Sequence, residues 1–223
     1  MIITSTGLKS NIERSQFKRQ TRRLEQDVLR MGALVEHSFR LSHEALFSRK
    51  ISVTKQISIL DDQIDKFYHK IELECATLMT LQAPVASDLR MLSAYMHLVR
   101  DLERIGDYAE DLGEFAVKLF PYHPLQFMKE IEFMSQYAQG MLSTSLVALA
   151  DLDAEAGLQV KKLDDQIDDD YERIYQKLAS QKDVPGVIEP LLLLGLVIRH
   201  IERMADHATN IGQRVAYVVT GNR

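Results

Sequence analysis

Apolar residues recur at three- and four-residue spacing along almost the whole chain, as expected of helices that each bury one stripe. From Phe17 to about Lys50 the stripe is Leu24, Val28, Met31, Leu34, Val35, Phe39, Leu46 and Phe47. A second helix, which Ser52 or Thr54 can cap, follows Ile57, Leu60, Ile64, Phe67, Ile71 and Leu78 to about Gln82. Pro84 suits the first turn of a third, where its missing N–H costs nothing. That helix reaches about Leu119 along Leu92, Met96, Val99, Leu102, Ile105, Ala109, Leu112 and Ala116. Pro121-Tyr-His-Pro124 then breaks the pattern, and three more helices follow: Leu125 to Leu152, Ala154 to Gln181 and, after Asp183-Val-Pro-Gly186, Val187 to Thr220. Met1 to Gln16 has no period and is expected to be a mobile leading segment.

The second three helices restate the first. Val99–Val117, VRDLERIGDYAEDLGEFAV, returns as Ile198–Ala216, IRHIERMADHATNIGQRVA, sharing Arg100/Arg199, Glu103/Glu202, Arg104/Arg203, Asp107/Asp206, Ala109/Ala208 and Gly113/Gly212. Leu60-Asp-Asp-Gln-Ile-Asp65 recurs letter for letter as Leu163–Asp168. The offset falls from 103 residues (Leu60 to Leu163) to 99 (Val99 to Ile198), so the second half is expected to have lost four residues at the turn between its last two helices. The pattern predicts an all-α fold of two tandem, pseudo-symmetric three-helix bundles, 17–120 and 125–223, joined at 121–124.

Composition narrows the function classes. With 46% hydrophobic residues in 223, the chain can bury a substantial core. A net charge of −5 argues against a general nucleic-acid binder. The longest apolar run, Leu191–Ile198, is far short of the roughly 20 residues of a membrane span, and the start has no signal-peptide core. The single cysteine, Cys75, cannot form an internal disulfide; it reads as a small buried helix residue and fits a reducing cytoplasm. Lys9, Arg14, Lys18, Arg19, Arg22 and Arg23 face one acid, Glu13, which makes the first helix a solvated basic arm or a contact for an acidic partner or a membrane surface.

Acidic residues fall on helix edges. Glu103, Asp107 and Asp111 are four apart, as are Glu202, Asp206 and Asn210; Asp61, Asp65 and His69, with Asp164, Asp168 and Glu172, repeat the spacing on the preceding helices. Like charges at i and i+4 cost about 0.2–0.5 kcal/mol per pair. A cation offsets that cost, and hard oxygens on adjoining helices suit magnesium, manganese or iron, or zinc with fewer ligands. Arg100, Arg104, Arg199 and Arg203 supply the competing account, since they can pair with the same acids in an ordinary solvated face.

The blocks Arg100–Asp111 and Arg199–Asn210 resemble the twice-repeated E-x-x-x-D signature of the PhoU family, the phosphate-signalling regulators associated with the bacterial phosphate-specific ABC transporter. Met31-Gly-Ala-Leu-Val-Glu36, Pro84–Leu89 and the overall length are similar too. The resemblance implies two three-helix bundles and surface iron or zinc clusters, with Glu103, Asp107, Glu202 and Asp206 as ligands, Asp111 and Asn210 as extensions, and Asp61, Asp65, Asp164 and Asp168 completing the beds. It implies a non-catalytic, cytoplasmic regulator that contacts the transporter ATPase subunit and a sensor histidine kinase. The copies differ at Asp101/His200, Tyr108/His207 and Asp111/Asn210, which predicts unequal sites with the second the weaker.

A di-metal carboxylate enzyme is the rival class, but no histidine has a glutamate three residues before it. No P-loop, G-x-S-x-G elbow or H-E-x-x-H occurs either. A metal-free helical adaptor is the third reading, and the apolar run Leu191–Leu194 leaves a homodimer open.

Overall fold

The computed structural model describes residues 4–82, 84–123, 126–181 and 188–222, with side chains from Arg14 and without that of Gln82. Among them are six long helices: α1 (Thr4–Phe47), α2 (Thr54–Gln82), α3 (Ala86–Leu119), α4 (Met128–Asp151), α5 (Ala154–Ala179) and α6 (Ile188–Thr220). The expected Asp183–Gly186 turn and Pro124 lie outside the described residues.

The stripes read from the sequence are the buried ones. Leu24, Val28, Ile64, Ile71, Leu98 and Ile105 of the first half pack in one continuous apolar core with Ile131, Met141, Val160, Ile167, Leu194 and Ile201 of the second. Leu34, Phe67 and Met96 sit at its margin. Cys75 is buried in it, and burial pushes its thiol up to about 12.

Three features differ from the sequence reading. First, α1 begins at Thr4, so residues 4–16 of the aperiodic stretch are helical backbone. Once a helix is nucleated each added residue costs little, and a polar extension needs no buried stripe. Second, α5 stops at Ala179, short of the position that matches the end of α2 at Gln82, while the turn where four residues are expected to be lost lies outside the described residues. Third, Thr54 does not cap α2 by accepting a bond. A 3₁₀ turn at Ile51–Val53 precedes it, and its hydroxyl donates to the Ile51 carbonyl at 2.9 Å.

The connections explain how the halves close on each other. In the α4–α5 turn, Leu152 takes a left-handed conformation, φ 51°, and Asp153 accepts from the amides of Glu155 and Ala156 at 2.9 and 3.0 Å, an N-cap that starts α5. Between α1 and α2, Arg49 is also left-handed, φ 53°. Its guanidinium donates to the carbonyls of Phe120 and Tyr122 and lies 4.8 Å from the Phe120 ring centre. It therefore ties the end of α3, and the link to the second half, to the α1–α2 corner. The halves meet through α3 on α6 and α1 on α4, where His43 and Ser135 lie 3.0 Å apart; within the second half, Ser145 of α4 donates to the Ala208 carbonyl of α6 at 2.7 Å.

Candidate metal centre

Helices α2 and α3 are antiparallel neighbours, and their repeated acidic edges converge. Asp61 and Asp65 stand one turn apart on α2 and Asp107 faces them from α3; one oxygen of each lies within 4.8 Å of the other two. Among the described residues this is the one such trio. Oδ1 of Asp61 is buried with no hydrogen-bond partner. Burial pushes the Asp61 carboxyl up to about 7, and Glu110, Asp65, Asp107 and Asp62 push the same way. Asp107 is pushed up to about 6, by burial first, then by Glu103, against the pull of Arg104. The trio is all-oxygen and half-buried, with Arg104 against Asp107 as its one paired cation, so its donors fit a hard cation, which would satisfy the orphaned oxygen and remove the repulsion together.

The counterpart between α5 and α6 is built differently. Asp164 is buried, but its Oδ1 accepts from the Thr209 hydroxyl at 3.2 Å and its Oδ2 lies 3.7 Å from the Lys161 ammonium. Burial raises its carboxyl and Asp206 adds to the rise, with Thr209 opposing. Glu202 gives Oε1 to Arg199 at 2.8 Å, while Oε2 is buried without a partner. Burial, then Asp206, raises the Glu202 carboxyl. Asp206 is held by Arg203 at 3.0 Å, and Asp168 is exposed.

Glu110 decides the difference, and sequence reasoning missed it. At the repeat offset it stands where Thr209 stands, so the first bed meets an acid at the place where the second meets a hydroxyl donor. The signal was present as a mismatch in the aligned blocks, but it lies off the four-residue spacing that defined the stripes.

Other expected ligands are engaged elsewhere. Glu103 lies on the same edge, 3.6 Å from the Arg104 Nε, and acts on Asp107 through its charge. His69 is exposed and rests against Tyr68; Glu172 accepts from Gln176 at 2.7 Å. Asp111 and Asn210 belong to the seam between the halves. Asp111 meets His200 Nε2 at 3.0 Å, while Asn210 donates to Asp101 at 3.4 Å and His207 Nδ1 meets Asp101 at 2.8 Å. Tyr108 and Phe115 pack edge-on against the His200 ring. The three differences singled out in the sequence, Asp101/His200, Tyr108/His207 and Asp111/Asn210, thus fall where α3 faces α6. Two copies meeting about an approximate twofold put each residue against its counterpart's neighbours, so an acid in one copy demands a donor in the other. Within the beds the halves differ instead at Glu110 and Thr209 and at Ser58 and Lys161.

The arginines do pair with the stripes, as the solvated-face account requires: Arg104 with Asp107 at 3.2 Å, besides those at Glu202 and Asp206. Each is an i,i+3 pair made from the solvent side, and in Glu202 it leaves the inner oxygen unsatisfied.

Comparison with known proteins agrees with the fold and the repeat. A family model described as the PhoU domain matches residues 28–116 and again 131–215. A Synechocystis sp. protein named phosphate-specific transport system accessory protein PhoU homolog is 61% identical over 214 residues, 96% of each chain. A Pseudomonas aeruginosa homologue of the same name is 31% identical over 209 residues, 92% of this chain and 86% of its own. The crystal structure of PhoU from Pseudomonas aeruginosa superposes with a TM-score of 0.89 at 30% identity, covering 92% of this chain and 100% of that one. The phosphate transport system regulatory protein PhoU from Streptococcus pneumoniae gives 0.81 at 28% identity, covering 92% and 98%.

Proposed function

The chain belongs to the PhoU domain family, and from that premise we propose that it is a non-catalytic accessory protein of phosphate transport that restrains phosphate uptake and phosphate-starvation signalling. Its partners in this reading are a phosphate-specific ABC transporter, through the ATPase subunit, and a sensor histidine kinase, reached from the cytoplasm. No helix among the described residues is long and apolar enough to cross a membrane, so the contacts would be made by helix faces.

The acidic beds add a metal-dependent element to this reading. The observation that carries it is the Asp61, Asp65 and Asp107 trio with its orphaned Asp61 oxygen. Asp61, Asp65 and Asp107 would hold the ion, with Glu103 and Glu110 supplying further negative charge; Asp164, Asp168, Glu202 and Asp206 would form the second, weaker site. A bound ion would supply positive charge between the acidic edges of α2 and α3. The protein's own groups orient it: Arg104 holds the outer side of Asp107, and burial keeps the inner oxygens poor in water. With no histidine or cysteine in the trio, magnesium, manganese or iron fits better than zinc.

A metal-free adaptor is the second reading, favoured by the arginine pairs at Asp107, Glu202 and Asp206. Titration of the chelator-treated protein with manganese and magnesium, followed by elemental analysis, separates the two. Saturable binding that disappears in Asp61→Asn/Asp107→Asn supports the metal reading; no binding, with transporter ATPase capture intact, selects the adaptor.

A further inference from the structure

We propose that residues 14–23 of α1, with Leu81 at the end of α2 and Val85 and Leu89 at the start of α3, form a docking surface for an anionic phospholipid bilayer. Residues 14–23 of α1 contain five cations, Arg14, Lys18, Arg19, Arg22 and Arg23, and no acid, in a chain whose net charge is −5. All five are exposed, and among the described residues none forms an ion pair. About half of the other described cations of the long helices behave differently, and Lys70, Arg104, Arg173, Lys177, Arg199 and Arg203 all hold carboxylates. Arg14, Lys18 and Arg22 are successive turns of one stripe, lining a cleft with Phe17, Glu25 and Asp88 that keeps a positive balance.

Apolar side chains stand exposed at the same end. Leu81, Val85 and Leu89 are 72%, 63% and 46% exposed. The Lys70–Asp27 pair sets the antiparallel register of α2 on α1, which brings Leu81 level with Gln16. Asp88, which shares the cleft with Arg14 and Lys18, is flanked by Val85 and Leu89 on its own helix. This is the end at which α2 outruns its counterpart α5.

Basic residues around exposed apolar ones suit a surface that offers anionic headgroups and a hydrocarbon boundary together. Nucleic acid would use the cations but offers nothing to the leucines, and the stripe has no exposed aromatic ring on which a base could stack. The surface lies apart from the acidic trio and needs no ion there.

The test is co-sedimentation of the purified full chain with vesicles of phosphatidylcholine alone or mixed with phosphatidylglycerol. The expected result is binding to the mixed vesicles only, weakening as salt rises through about 0.1 M, where screening acts beyond about 10 Å. Arg14→Gln/Lys18→Gln/Arg22→Gln lowers the partition coefficient at least about tenfold. Leu81→Ser/Val85→Ser lowers it with charge unchanged, whereas Lys66→Gln/Lys162→Gln, equal in helical circular dichroism, retains it. No binding to the mixed vesicles, equal binding by the triple variant, or tighter binding to duplex DNA than to vesicles overturns the proposal.

Discussion

Gly157 of α5 and Gly212 of α6 lie back to back: a β-carbon on Gly157 would stand 2.5 Å from the Gly212 carbonyl oxygen, and one on Gly212 would stand 2.4 Å from that of Gly157. At the repeat offsets the first-half pair is Thr54 and Gly113, whose helices are held apart by the threonine methyl and Ile57. The second half therefore brings its backbones into contact where the first packs side chains. Either Gly157→Ala or Gly212→Ala should destabilise by about 1–3 kcal/mol, because backbone cannot yield as a flexible side chain does. Gly140→Ala, with nothing within 4 Å, should instead gain about 0.5–1 kcal/mol from helix propensity. Denaturant unfolding of the three variants reads the contrast.

Exchanging the mismatched residues should exchange the beds. Glu110→Thr removes the largest charge acting on Asp61 and supplies a hydroxyl where Thr209 serves Asp164. The Asp61 carboxyl should then titrate below about 7, and any affinity for a divalent cation at the first bed should fall. Carboxyl-detected NMR titration measures the first effect and calorimetry the second.

The metal-free protein should lose stability as pH rises. Asp61 and Asp107 titrate near 7 and 6 when folded, against an ordinary value of 3.8, so over that interval the folded chain holds protons that the unfolded chain has released. Stability is then highest near the ordinary carboxylate range and declines until both groups ionise, which is nearly complete at about pH 8. Thermal unfolding from pH 5 to 8 should show a falling midpoint that flattens in Asp61→Asn. An ion competing with those protons should stabilise most at the alkaline end of the same window.

The seam should be sensitive to its acid. Asp101→Ala leaves His207, whose Nε2 is already buried without a partner, with neither ring nitrogen satisfied, and should cost about 1–3 kcal/mol. Asp101→Ala/His207→Phe should cost less than the separate changes added together, since the orphan is removed with its partner. A double-mutant cycle by chemical denaturation gives the coupling.

Arg49→Ala should loosen the joint between the halves. It removes two bonds to the Phe120 and Tyr122 carbonyls and the stacking on Phe120, a loss of about 1–3 kcal/mol. Faster amide hydrogen exchange at 119–123, with the middle of α3 unchanged, is the expected pattern.

The repeats, the stripes of Leu24, Ile64, Ile105, Ile167 and Ile201 and, apart from the start of α1, the helices near their observed ends were legible in the sequence, because helical burial is written at fixed spacing along one segment. The acidic edges were legible for the same reason. What spacing along a helix cannot contain is the angle at which a neighbouring helix presents its own edge. Tertiary packing turned Asp61, Asp65 and Asp107 into a cluster while drawing Asp111 and Asn210 away to His200 and Asp101. It also packed the two bundles against each other, so that one apolar core runs through both. The two beds share their acids in sequence, yet one hydroxyl from Thr209 and one carboxylate from Glu110, each meaningful only beside the facing aspartate, make them different.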